Sequence, residues 1–284
     1  MDLLQWEQNP WGQEILVRIS WSLFWIALSA GVVFVVAHLV FRTTLGPRIK
    51  ASAAAAADQS SATASVPEQV MRHSSASRCF HWLMAVSMLV LLVTGFAPVV
   101  GIQFAWVTIH WVAGLALIAC VLFHIVHASA RGTLRSVGFE STDVEDVRRR
   151  IRRALGRPTE QPAKNPKYPL PNRLYHHAVV LTTVAAIGTG VLMMFRVETP
   201  FLARNPYMFA EQTWGWVYVL HGLGSVGLVT LVISHVYFAV LPEKRWMTRS
   251  MVRGWIGRDE YLEHHDPARW SISGPEPGGD TDSA

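Results

Sequence analysis

The sequence predicts an all-α membrane protein built as a four-helix transmembrane bundle plus one extra N-terminal transmembrane helix. Three observations carry that prediction. Of the 284 residues, 51% are hydrophobic and only 16% are charged, where soluble domains carry about a quarter charged residues. Five apolar stretches, roughly 15–41, 79–100, 106–128, 174–195 and 214–241, each reach the length of about 20 residues that a helix needs to cross the hydrocarbon core. Histidines recur inside these stretches at matched intervals. Continuous helices satisfy their own backbone groups in lipid, which an open sheet cannot do.

The elements follow in chain order. The first stretch, within residues 1–41, is too long for the apolar core of a signal peptide, and no Lys or Arg precedes it in 1–14. A retained N-terminal transmembrane helix is expected there. Residues 42–78 form a linker on the cytoplasmic side, and its ASAAAAADQSSATAS run at 51–65 reads as low-complexity and flexible. Residues 79–241 hold the remaining four crossings, and residues 242–284 form a C-terminal tail. In the loop before the fourth crossing, DVEDVRRRIRRALGR (143–157) sets Val144, Val147, Ile151 and Leu155 along one helical face. A short helix on the membrane interface is the expected form.

Basic residues set the orientation. The 42–78 linker carries Arg42, Arg48, Lys50, Arg72 and Arg78, the 129–173 loop carries eleven, and the tail after 241 carries six. The 101–105 connection has none, and the 197–213 loop has only Arg204. By the positive-inside rule the N-terminus is outside and the C-terminus is cytoplasmic, in a bacterial or archaeal cytoplasmic membrane. The net charge of +5 thus reflects orientation in a lipid bilayer and not nucleic-acid binding. Cys79 and Cys120 lie in apolar segments and mark no disulfide framework. No CxxCH motif occurs, which excludes the usual covalent attachment of a c-type haem.

The histidines carry the chemistry. His221 and His235 lie fourteen residues apart in VLHGLGSVGLVTLVISHVYF (219–238), close to four helical turns and about 21 Å of rise. His110 and His124 repeat the interval one hairpin earlier, and His81 sits in the first turn of its helix, in RCFHW. The topology places His110 and His221 near the outer side, and His81, His124 and His235 near the inner side. Ionisable groups inside a membrane are costly and mark functional paths. Imidazoles matched in depth on different helices fit two b-type haems, each held by two histidines, in a diheme bundle. Gly114, Gly222, Gly224 and Gly227 supply room on the two ligand helices. An ion transporter would want Asp, Glu or Lys in the spans; the cores of the four-helix unit hold none, and no inverted repeat is evident.

From about residue 71 to 270 the sequence resembles the membrane cytochrome b (gamma) subunit of respiratory formate dehydrogenases, and its relatives in hydrogenase and thiosulfate or polysulfide reductase complexes. The matching pieces are RHSSASRCFHW with Thr94–Gly95, IHWVAG (109–114), the Lys167–Tyr168 pair, LHGLGS (220–225), SHVYFAV (234–240) and MVRGWIGRDEYLEHHDPARW (251–270). The resemblance implies His110 and His221 as axial ligands to the iron of the outer haem, and His81 and His235 to that of the inner one. His124 lies at the depth of an alternative inner ligand, as in bundles where two helices supply all four. The resemblance also implies a quinone site beside the inner haem, near the start of the helix after the basic loop. The segment there, KYPLPNRLYHH, has prolines where the family tends to carry an Asn- and Gln-containing turn, and Tyr168, Asn172, His176 and His177 are its candidates.

The function expected is electron transfer across the membrane between a periplasmic oxidoreductase and the quinone pool, in either direction. The chain would act as a diheme b-type cytochrome subunit and anchor, with two haem b as cofactors and quinone as substrate. Substrate chemistry would belong to periplasmic catalytic and Fe–S partner subunits. The alternatives are a haem-free membrane anchor or assembly subunit, and the cytochrome b of a hydrogenase or a thiosulfate or polysulfide reductase complex.

Overall fold

The computed structural model describes residues 3–44, 66–154, 157 and 164–272. The Ala/Ser run at 51–65 and Leu155 lie outside the described residues. Among the described residues, five helices are long and apolar enough to cross a membrane. They are α1 (Trp21–Thr44), α2 (Ser75–Phe96), α3 (Trp106–Ala130), α5 (Leu170–Met194) and α6 (Glu211–Val240). A short polar helix, α4 (Asp143–Ala154), lies in the basic loop. α2 packs closely on α3, and α5 on α6. Between these two hairpins α3 and α5 touch, and Met88 of α2, Leu117 of α3 and Leu228 of α6 share one buried cluster.

The N-terminal segment corrects the sequence reading. Residues 15–19 are not the first turn of a helix. They belong to strand β2 (Glu14–Ile19), paired antiparallel with β1 (Leu4–Gln8). The reason is local. Asn9 Oδ1 accepts from the amides of Trp11 and Gln13 at 3.0 and 2.9 Å, and Gly12 adopts φ +76°, so the chain turns back on itself. Leu16 and Ile19 are then buried against α6. The approach is close: a Cβ on Gly215 would lie 2.3 Å from the Leu16 carbonyl oxygen. Helix α1 begins only after Ser20, whose hydroxyl accepts from the Ser22 amide.

α1 is fastened along α6. A Cβ on Gly31 would lie 3.6 Å from the Ile233 side chain, His38 and Tyr237 share a 2.7 Å hydrogen bond, and Arg42 pairs with Glu243 at 2.7 Å. Near its start, Phe24 stacks on Phe96 at the end of α2.

The tail folds back as a cap on the end of the bundle where α6 finishes, the end expected to be inner. Strand β3 (Gln69–Met71) pairs with β4 (Trp255–Gly257). Helices α7 (Arg245–Arg253) and α8 (Arg258–His264) flank β4. The Arg72 guanidinium is the centre of the cap. It lies over the rings of Trp246, Trp270 and Tyr168 at 5.2, 5.5 and 5.9 Å, and donates to His265 Nε2 at 3.0 Å and to the Lys167 carbonyl at 3.1 Å. His265 Nδ1 donates in turn to the Pro166 carbonyl. Burial, then the Arg72 charge, lower the His265 pKa to about 4, so it stays neutral and able to accept. Burial likewise lowers His73 to about 3, helped by Arg72 and Lys167.

A second anchor joins the basic loop to α5. Arg173 is 1% exposed and pairs with Asp143, with Glu140 at 3.3 Å and with the Gly138 carbonyl at 2.6 Å. Arg269 of the tail reaches the same loop through Glu140 and Asp146. Loop, cap and the start of α5 therefore form one assembly at the inner end.

Candidate functional site

The hairpins bring the sequence-predicted histidines into pairs. His110 of α3 and His221 of α6 have ring centres 6.2 Å apart. His81 of α2 and His235 of α6 are 6.3 Å apart. His124 is not beside His235; it stands 6.4 Å from His176 of α5. With metal–imidazole bonds of about 2.0–2.1 Å and a ring centre about 1.2 Å from its nitrogen, two axial imidazoles have centres roughly 6.4 Å apart. The first two pairs therefore fit a haem iron between them by separation alone.

The outer pair also fits by tautomer. Thr94 Oγ1 lies 2.7 Å from the Val90 carbonyl and 2.8 Å from His110 Nδ1. A hydroxyl has one proton; given to the carbonyl, it leaves the oxygen to accept from Nδ1–H. Thr189 does the same on α5, donating to the Ala185 carbonyl at 2.6 Å and accepting from His221 Nδ1 at 3.0 Å. His221 Nδ1 has a second acceptor in the Ala186 carbonyl at 3.1 Å. Both rings are thus held as Nδ1–H tautomers, and both Nε2 lone pairs stay free for a metal. This is the usual way neighbouring groups orient a ligating imidazole.

At the inner pair the support differs. His81 Nδ1 is buried without a hydrogen-bond partner. His235 is exposed. Tyr175 stacks on the His235 ring at 5.7 Å and is itself held by its hydroxyl donating to the Leu231 carbonyl.

The glycines divide differently from the sequence expectation. Gly222 faces Ile19 of the N-terminal hairpin, and Gly224 and Gly227 face Thr182 and Ala186 of α5. Their work is close packing, as small residues do between membrane helices. A Cβ on Gly114 would meet Leu91 at 3.9 Å, an ordinary contact. The glycines that meet the paired histidine rings are Gly95, whose Cβ would lie 3.6 Å from His110 Cε1, and Gly190, 3.3 Å from His221 Cε1. Thr189 and Gly190 were missed by the sequence reading. The signal was present, because both Thr-Gly pairs follow a histidine by thirteen residues.

The quinone candidates scatter. Tyr168 packs against Arg72 in the cap. His176 pairs with His124. His177 is exposed, stacks on Phe139 and lies 3.0 Å from the Val137 carbonyl. Asn172 is exposed at the start of α5.

Residues 72–254 match the family model described as prokaryotic cytochrome b561. No curated protein matches the sequence.

Proposed function

This chain belongs to the prokaryotic cytochrome b561 family of multi-pass membrane b-type cytochromes with an electron-transfer role, and from that premise we propose that it holds two b haems in line across the bilayer. The carrying observation is the two imidazole pairs, at 6.2 and 6.3 Å, on ligand helix α6 with fourteen residues between His221 and His235. His110 and His221 would hold the outer haem, and His81 and His235 the inner one. When bound, each haem supplies one-electron redox chemistry. The protein's part is orientation and exclusion of water: Thr94 and Thr189 fix the outer rings, and Phe24, Phe96 and the N-terminal hairpin pack beside them.

The N-terminus is outside in this reading, and a periplasmic oxidoreductase exchanges electrons at the outer haem. Quinone reacts at the inner end beside α5. Asn172 and His177 are the exposed candidates there. The formate dehydrogenase gamma subunit is the role we favour, on the resemblance of the 251–270 tail to that family.

The test is haem stoichiometry. A reduced-minus-oxidised spectrum and a pyridine haemochrome assay should give two b haems per chain, and His221→Ala should remove one. A protein that binds no haem is a bare anchor or assembly subunit, and the reading fails. A silent C-terminal alkaline phosphatase fusion supports the orientation; an active one reverses it. His177→Ala and Asn172→Ala should be assayed with quinone and with an artificial dye at the partner subunit. Full quinone turnover in both variants would remove the inner quinone site.

A further inference from the structure

The two hairpins are a direct repeat, and the repeat contains a pair of histidines that two haems do not use. Phe80, His81, Thr94 and Gly95 of α2 correspond to Tyr175, His176, Thr189 and Gly190 of α5, at the same mutual spacings. His110 and His124 of α3 correspond to His221 and His235 of α6. The contacts repeat too. Thr94 holds His110 as Thr189 holds His221. Phe80 stacks on His124 at 4.4 Å as Tyr175 stacks on His235. Both first helices run in one direction and both second helices in the other, so the relating axis runs along the membrane normal. His110 and His221 meet on that axis as one pair. The inner histidines lie off it and must form two equivalent pairs: His81 with His235, and His124 with His176. Their ring separations are 6.3 and 6.4 Å.

We propose that His124 and His176 form a third metal centre, with two imidazole ligands, at the inner end. Imidazole suits iron, zinc, copper and nickel, and the separation leaves the width of one metal ion between the rings. Two sources share this chemistry: a bare transition-metal ion and the iron of a third haem. The structure favours the bare ion. The backbones of α3 and α5 make closer contact than those of α2 and α6. Phe80 also lies flat on His124, at an interplanar angle of 11°. The inference rests on reading His81 and His235 as a ligand pair, of which this is the symmetric counterpart.

The experiment uses full-length protein with a histidine-free affinity tag, treated with chelator and then exposed separately to Zn²⁺, Ni²⁺ and Cu²⁺. Total metal is measured by mass spectrometry, and haem by pyridine haemochrome on the same samples. The expected result is one metal per chain beyond the irons of two haems, bound at least tenfold more weakly in His124→Gln and in His176→Gln. The spectra of the first two haems should be unchanged in both variants, which shows that the bundle is folded. His38→Gln should bind like wild type. A third haem lost in the same variants would support the centre with the porphyrin as source. Metal equal to haem iron alone in the wild type, or extra metal that persists in both variants, overturns the proposal. Absence of all haem would refute the diheme reading by itself, while metal uptake at His124 and His176 is still scored separately.

Discussion

Gly190→Ala tests how tightly the outer ligand is held. The added Cβ would lie 3.3 Å from His221 Cε1 and 3.7 Å from its Nδ1, closer at Cε1 than the optimal contact of about 3.5–4.0 Å between carbon atoms. The ring cannot tilt away freely, because its Nδ1 is held by Thr189 at 3.0 Å and by the Ala186 carbonyl at 3.1 Å. The displacement therefore falls on the iron-facing side of the imidazole. Overpacking of this kind costs about 1–3 kcal/mol, against a helix-propensity gain of about 0.8–1.0 kcal/mol for Ala over Gly. Gly95 is the internal control. Its Cβ would sit 3.6 Å from His110 Cε1, an ordinary contact. Gly95→Ala should hold its haems like wild type or slightly better. Gly190→Ala should weaken the outer haem by up to about 2 kcal/mol net, or up to roughly thirtyfold in dissociation constant. The assay is haem loss to an excess of scavenging apoprotein, followed at the Soret band, with a redox titration to identify which haem departs. Equal haem retention in the two variants, or loss of the inner haem first, would refute the reasoning.

Three other predictions concern the frame around the site. Gly215→Ala places a Cβ 2.3 Å from the Leu16 carbonyl oxygen, and backbone cannot yield as a side chain can; limited proteolysis within residues 3–19 should rise at least tenfold, with the haem spectrum unchanged. Asp143→Ala strands the buried Arg173 guanidinium, a loss of about 3–5 kcal/mol for a broken buried pair; the thermal midpoint should fall, and Arg173→Met added to it should recover most of the loss. His265 has a folded pKa near 4, below its unfolded value of about 6.5. Its contribution is therefore complete above pH 6.5 and is lost as pH falls toward 4, where protonation removes the acceptor for Arg72. Tail proteolysis should accelerate across that window, and the acceleration should be smaller in His265→Gln.

What the sequence determined by itself was local. Apolar length marks five spans because the bilayer demands a minimum run of about 20 residues wherever a helix crosses. The fourteen-residue histidine interval sets depth because rise per residue is constant along a helix. These are one-dimensional properties of a segment. Which histidine stands beside which is not one of them. His81 and His124 have the same expected depth, and only the order of helices around the bundle puts His81 next to His235 and His124 next to His176. Ile15–Ile19 are apolar enough to continue a helix, but a turn at Asn9–Gly12 and a groove on α6 at Gly215 make them a strand. Tyr168 reads as an interfacial aromatic beside the helix start, and the returning tail places Arg72 over its ring. The His-to-Thr-Gly spacing sets Gly95 and Gly190 apart from Gly224 and Gly227, but it does not say what any of the four faces. The first two face imidazoles and the others face α5, because packing depends on which helix passes opposite each glycine, and that is decided only when the hairpins assemble.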